Sequence, residues 1–414
     1  MPKLEKMHIQ GYRSLADFEM ELGDLTVLIG PNASGKSTVA DLLLFTAEAM
    51  NDSLLVPIGN RGGFRSLLWN AGALQIGVEL HLVGLSRDKD ASTSHTYSFE
   101  IEPVRADPVV TRERLLQSIH NVIGSVIEDR TTTILSREGT DIRTSAPTRA
   151  ADTDVPRSHL ALGSMMFPSF LNRNILPTRR LLTGVEVYSP FDVGPRAPLR
   201  KPYDPSSKTA PDTHLRPGGD NLVGVISLLK GDLSYADHFA QLEEWLAQAF
   251  EGFDGLGISP AVAGAEQALL WREYGRRPLH AGQLSDGILH FLCLATLCAS
   301  PEPPTLVAID EPEIGLHPGL LPLVAAMLET LSERTQVIVV THSPQLLSGF
   351  SDIECIRVIS KDENGAHAHR PADSKALRKM LEPTVGATLG SLFESGDLEV
   401  PPEPQEARQG EADL

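Results

Sequence analysis

Gly30 and Gly35 frame the string Gly30-Pro31-Asn32-Ala33-Ser34-Gly35-Lys36-Ser37, which runs on into Thr38. Glycines at this spacing let consecutive backbone N–H groups curl around an anion. Lys36 then reaches β- and γ-phosphates, and the Ser37 hydroxyl can take a place on Mg²⁺. A second group follows the apolar run Leu306-Val307-Ala308-Ile309, which ends in Asp310-Glu311. Asp310 suits Mg²⁺, directly or through water, while the neighbouring Glu311 points elsewhere and can orient and deprotonate an attacking water. A third run, Gln336-Val337-Ile338-Val339-Val340, ends in Thr341-His342-Ser343, where His342 can donate to a γ-phosphate and report its presence. Finally, Gln283-Leu284-Ser285-Asp286-Gly287 precedes a helix, with Ser285 as its N-cap and the following amides as free donors. One triphosphate would then have two phosphate-reading ends. The economical arrangement is a dimer in which the serine end of one subunit closes over the nucleotide of the other.

These groups need a scaffold that brings strand ends together. Thr26-Val27-Leu28-Ile29 reads as a strand feeding the glycine loop, with a helix from about Lys36 to Met50. Acids and a histidine at the ends of apolar strands belong at the C-terminal edge of a parallel sheet, where ligands bind. Beyond Leu284 the order helix, strand, helix, strand, helix fits such a sheet. Met7–Gln10 and Asp17–Leu22 alternate as half-buried strands. Further strands near 74–83, 96–101, 109–115 and 131–142, with a turn at Glu138-Gly139, predict an antiparallel lobe. Residues 158–252 read as mostly helical, broken by a strand at Val185–Tyr188 and a Pro-, Arg- and Lys-rich loop over 190–217. The expected class is α/β, divided into an N-terminal lobe (1–157), a helical insertion (158–283), a C-terminal lobe (284–396) and a flexible acidic tail (397–414).

At 414 residues, 41% hydrophobic and 22% charged, the chain can bury a large core, which excludes disorder over most of its length. Its longest apolar candidate, Ile288–Ala299, is too short to span a bilayer and is broken by His290, and the N-terminus has no apolar export signal. A cytoplasmic protein without a membrane partner is expected. Cys293, Cys298 and Cys355 form no C-x-x-C pair and read as buried thiols. The net charge of −18 opposes nonspecific attraction to nucleic acid, yet residues 101–215 carry 15 Lys and Arg against 13 Asp and Glu. Any polyanion would dock there, on Arg196, Arg200 and Lys201, or on Arg173, Arg179 and Arg180. His367 and His369 could share one side of a strand, but two ligands without a third do not make a metal site.

Taken in order, the motifs resemble the ABC-type ATPases. GPNASGKS resembles Walker A, LSDG a variant of the LSGGQ signature, AIDE Walker B, EIGLHP the D-loop and THS the switch-histidine loop. The opening Ile9-Gln10-Gly11-Tyr12-Arg13-Ser14-Leu15 and the string DEPEIGLHP are similar to the RecF, SMC and OLD-like branch rather than to transporter subunits. The resemblance implies a P-loop fold with a mixed, largely parallel core sheet. It also implies ATP and Mg²⁺ as ligands, with residues 30–38 binding nucleotide and Ser37 and Asp310 holding the metal. Glu311 would be the catalytic base, His342 the γ-phosphate sensor, and Ser285, Asp286 and Gly287 would act across an ATP-dependent homodimer. Arg61 and Arg13 become candidate nucleotide contacts, and Gln75 a candidate for the Mg²⁺-coordinating glutamine. The signature departs from its usual form at Asp286 and Ile288. No heptad arm of the SMC kind is present, and the 72 residues after His342 are too few for a nuclease domain of the OLD kind. An ATPase serving DNA repair or anti-phage defence with a separate effector is the expectation. A transporter's nucleotide-binding subunit and a regulatory ATP-binding scaffold with little turnover are the alternatives.

Overall fold

The computed structural model describes residues 2–70, 72–85, 91–105, 107–123, 126–145, 154–167, 169–204, 213–259, 266–371, 380–381 and 387–398. The tail expected over 397–414 lies outside them beyond residue 398.

Strands β1 (Lys3–Tyr12) and β2 (Leu15–Glu21) form a hairpin, and β3 (Leu25–Ile29) leaves it to enter a different sheet. Helix α1 (Lys36–Asn51) follows the glycine loop, as its apolar spacing predicts. The glycine-rich stretch at 59–65 lies across two short helices, α2 (Leu55–Asn60) and α3 (Phe64–Leu67). Gly62 and Gly63, both at positive φ, make the break between them. Strands β4 (Ile76–Val83), β5 (Ala91–Val104), β6 (Asp107–Ile123), β7 (Val126–Glu138) and β8 (Asp141–Thr144) then complete an antiparallel sheet of order β2-β1-β4-β5-β6-β7-β8.

Next come α4 (Ala161–Ser164), α5 (Ser169–Thr183), β9 (Val185–Tyr188), α6 (Leu222–Gly231) and α7 (Ala236–Ala249), then a small sheet of β10 (Phe253–Ile258), β11 (Leu269–Glu273) and β12 (Leu279–His280). The C-terminal part alternates as expected: α8 (Asp286–Ala299), β13 (Leu306–Asp310), α9 (Leu321–Ser332), β14 (Gln336–Val340), α10 (Pro344–Leu347), β15 (Ile356–Asp362) and β16 (Gly365–His369). The central sheet has the order β16-β15-β3-β14-β13-β9, and only β16 runs antiparallel to its neighbour. The region 158–283, expected as mostly helical with a strand at Val185–Tyr188, contributes that strand, β9, as the edge of the central sheet and adds β10–β12 as a sheet of their own.

Both faces of the central sheet are covered, which is why its strands are almost continuously apolar. Val27, Ile29, Val307, Ile309, Val337 and Val339 face one core with α6–α9. Leu28, Leu306, Ala308, Ile338 and Val340 face the other, shared with α1 and the antiparallel sheet. The two sheets are also joined by hydrogen bonds. The Gln336 side chain accepts from Leu4 N at 2.9 Å and donates to Leu4 O at 2.7 Å and Gly23 O at 2.9 Å, while Ala366 N donates to Ser14 O at 2.8 Å. Among the described residues no helix is long and apolar enough to cross a membrane. Cys293 and Cys298 are buried free thiols, as expected, and burial pushes Cys298 up to about 12; Cys355 is only partly buried.

Candidate functional site

Register brings the motifs to one edge. Asp310 pairs with Val340, and Val340 with Leu28, so β3, β14 and β13 end side by side. The glycine loop leaves β3, Thr341-His342 leaves β14 in the middle, and Asp310-Glu311 closes β13.

The loop's shape depends on positions that exclude a side chain. A Cβ on Gly30, at φ +133°, would lie 2.1 Å from Ile359 O, and one on Gly35, at φ +115°, would lie 2.8 Å from Ser14 Oγ and 3.1 Å from the Ala366 Cβ. The loop is therefore wedged between the β1–β2 turn and the β15–β16 hairpin. Ala33 takes the left-handed region at φ 61° without being glycine, a conformation that costs about 1–2 kcal/mol. Lys36 is buried, and its Nζ donates to Gly30 O at 2.9 Å and Pro31 O at 2.8 Å across the loop mouth. At the start of α1, Thr38 N and Val39 N donate to Gly35 O at 3.0 and 3.2 Å, so the helix begins directly at the loop with its N-terminal end turned to the cradle. Ser34 is 2% exposed, and its hydroxyl has no hydrogen-bond partner among the described residues. A cradle with no room for side chains, a lysine, helix-start amides and an unsatisfied buried hydroxyl together fit a polyphosphate.

Ser37 Oγ donates to Asp310 Oδ1 at 3.3 Å, so two hard oxygen ligands from opposite halves of the chain already meet. Burial raises the Asp310 pKa, with Glu311 adding to the rise, while the Ser37 hydrogen bond, Lys36 and His342 oppose it. Four candidate residues thus act electrostatically on one carboxylate. Glu311 has φ 52°, a strained geometry for a non-glycine residue, held by its N–H donating to Val340 O at 2.8 Å.

A residue not singled out from the sequence completes this edge. Glu313 Oε1 accepts from Thr341 Oγ1 at 2.7 Å and from His342 N at 3.1 Å, while its Oε2 is buried without a partner among the described residues. The third acid in Asp310-Glu311-Pro312-Glu313 was the available signal.

The remaining candidates have other partners or stand apart. Arg61 is engaged by α1 and α2: its Nε donates to Asp41 Oδ1 at 2.8 Å, and its Nη1 donates to Glu48 and to Pro57 O. Arg13 pairs with Asp41 Oδ2 at 2.8 Å, which also accepts from Tyr12 OH at 2.7 Å. Both arginines therefore lock α1 to its neighbours. Arg179 donates to Gly163 O and Met165 O, and Arg200 to the signature segment, so neither is a free docking charge; Arg180, Arg196 and Lys201 are exposed. The side chain of Arg173 lies outside the description. Gln75, at the start of β4, is half-buried. His367 pairs with Asp362 at 3.1 Å, and no group of three metal-binding side chains exists among the described residues.

Ser285 caps α8, accepting from Ile288 N at 3.3 Å. A Cβ on Gly287 would lie 3.2 Å from Gly315 O, and Gly315 in turn packs on His290, so the signature segment rests on the D-loop.

This combination of sheet, loop and strand-end acids defines an ABC-type ATPase of the RecF, SMC and OLD-like branch. The chain belongs to the family described as "AAA domain, putative AbiEii toxin, Type IV TA system", whose profile matches residues 25–348. It is similar to the Old nuclease of Escherichia phage P2, at 44% identity over 72 residues, 17% of this chain and 12% of that protein. It is also similar to the phosphate import ATP-binding protein PstB 1 of Synechococcus sp. (strain JA-2-3B'a(2-13)), at 30% identity over 143 residues, 31% of this chain and 51% of that one. The chain thus spans about half or less of these relatives. Among solved structures, an Smc head bound to the C-winged helix domain of ScpA aligns with TM-score 0.50 and 14% identity, over 88% of this chain and 97% of that one. A head with an extended coiled coil, bound to the C-terminal domain of ScpA derived from Pyrococcus furiosus, gives 0.51 and 14%, over 93% and 100%. At that identity the likeness concerns the fold.

Proposed function

We propose that this protein binds ATP with Mg²⁺, hydrolyses it, and uses the cycle to close and open a homodimer that drives a separate effector. The observation that carries this reading is the meeting of the Lys36 loop, the Ser37–Asp310 pair, Glu311 and His342 at one sheet edge. Ser37 and Asp310 would hold Mg²⁺, which would supply charge neutralisation for the phosphates. Lys36 exchanges its loop carbonyls for β- and γ-phosphate oxygens, and the Ser34 hydroxyl gains an acceptor. Glu311 orients and deprotonates the attacking water, and His342 donates to the γ-phosphate. Ser285 and the start of α8 close over the partner's triphosphate. The purified protein is expected to release ADP from ATP with Mg²⁺ and to stop when the metal is chelated; no ADP above a protein-free control overturns the reading.

We infer from the motifs that the cycle serves an effector in anti-phage defence or DNA repair; the Smc heads of this fold, solved with ScpA domains bound, give a precedent for a separate partner protein. PstB 1 keeps a transport role in view. Direct DNA docking now rests on Arg180, Arg196 and Lys201. If these charges hold a duplex, log affinity will fall linearly with log salt, by about 0.9 per neutralised phosphate, and more steeply with ATP than without. A flat salt response discards direct docking.

A further inference from the structure

We propose that Arg200 is a positioning residue of the signature segment: it neutralises Asp286 and fixes the backbone around Ser285, so that this end can approach a partner subunit's triphosphate. The inference rests on the dimer reading above. Arg200 lies between β9 and α6, and its side chain is 10% exposed although Asp286 is 69% exposed. Its Nε donates to Val193 O at 2.7 Å, Nη1 to Leu284 O at 2.8 Å and Ala281 O at 3.2 Å, and Nη2 to Asp286 Oδ1 at 2.5 Å. One guanidinium therefore grips the residue before Ser285 and the residue after it. A planar fork with fixed donor directions can do this, whereas a lysine ammonium cannot reproduce it.

The charge matters as much as the grip. A carboxylate beside an anion-binding helix start opposes the field that attracts phosphate. Arg200 cancels that charge and leaves Ser285 exposed at the helix start. The acidic residue is thereby made compatible with a triphosphate. The chain around Arg200 is itself anchored, since Tyr203 N donates to Gln267 O at 2.7 Å and Gln267 N returns a bond to Tyr203 O at 2.7 Å. The signature segment is thus braced against the small β10–β12 sheet.

The test combines Arg200→Ala, Arg200→Lys, Asp286→Asn and the Arg200→Ala/Asp286→Asn pair, each in full-length protein. A fluorescent ATP analogue reports loop binding in the monomer, and sedimentation with ATP reports dimerisation. Arg200→Ala is expected to leave analogue affinity within about twofold and weaken dimerisation about 10- to 100-fold, the range for lost hydrogen bonds to a charged group. Arg200→Lys should fall between it and the parent. The double variant should regain much of the loss, because no uncompensated carboxylate remains. Dimerisation of Arg200→Ala equal to the parent's, or losses that simply add, overturns the assignment. Should Arg200→Ala fail to fold, Arg200→Lys decides, and parental dimerisation in that variant overturns it. A parent that stays monomeric with ATP overturns the dimer reading and, with it, this role for Arg200.

Discussion

Glu311→Gln is expected to hold two subunits together around ATP and to slow turnover by about 10²- to 10⁴-fold, the usual cost of removing a positioned general base. The substitution is nearly isosteric. The strained turn at φ 52° is held by the backbone bond from Glu311 N to Val340 O, so the amide should occupy the carboxylate's place. Only the capacity to take a proton is lost. Nucleotide binding should survive, because Lys36, Ser37 and Asp310 are untouched, and the ATP-bound dimer should accumulate because its exit by hydrolysis is blocked. Mass measurement of the variant with and without ATP, alongside single-turnover kinetics, reads both effects. A monomer in ATP that turns over at the parental rate would show that Glu311 is not the base.

Glu313→Ala should be nearly as damaging by a different route. The Glu313 carboxylate holds the Thr341 hydroxyl and the His342 amide, and it lies just past the strained turn. Truncation leaves both donors without their acceptor, at about 1–3 kcal/mol for each unsatisfied group, which chemical denaturation will register. The loop carrying His342 then loses its fixed position, and a displacement of about 1 Å in a catalytic group can cost about 10²-fold in rate. Glu313→Gln separates the two effects. It keeps an acceptor for Thr341 and His342 but puts an amide donor where Oε2 is buried without a partner, so stability should fall while turnover is better preserved. Parental turnover in Glu313→Ala would remove this residue from the site.

The central machinery was readable because each part is local in sequence. An apolar run followed by Gly30 to Ser37, or by Asp310-Glu311, states both a strand and the chemistry at its end. Harder to read were the features decided by contacts between distant residues. Val185–Tyr188 is four residues long, and only its parallel pairing with β13 makes it part of the central sheet. Strands β5 to β7 run longer than expected because their outer parts, such as Ser92-Thr93-Ser94-His95, carry no apolar residues to mark a buried face, although Ser94 and His95 are themselves buried. Charge counts could not show which way an arginine turns. Arg200 and Arg179 stand in a cationic region yet spend their donors on backbone carbonyls, and Arg61, whose motif position suggested nucleotide, serves Asp41 and Glu48.

The grip of Gln336 on Leu4 and Gly23 has a mechanical consequence. Strand β14 is clamped at its first residue to the outer sheet, and its last residue leads directly into Thr341 and His342. It is a short rod tied at its first residue to the antiparallel lobe and bordered at its last by Leu28 and Asp310, so the lobe and the loop that carries His342 share one strand.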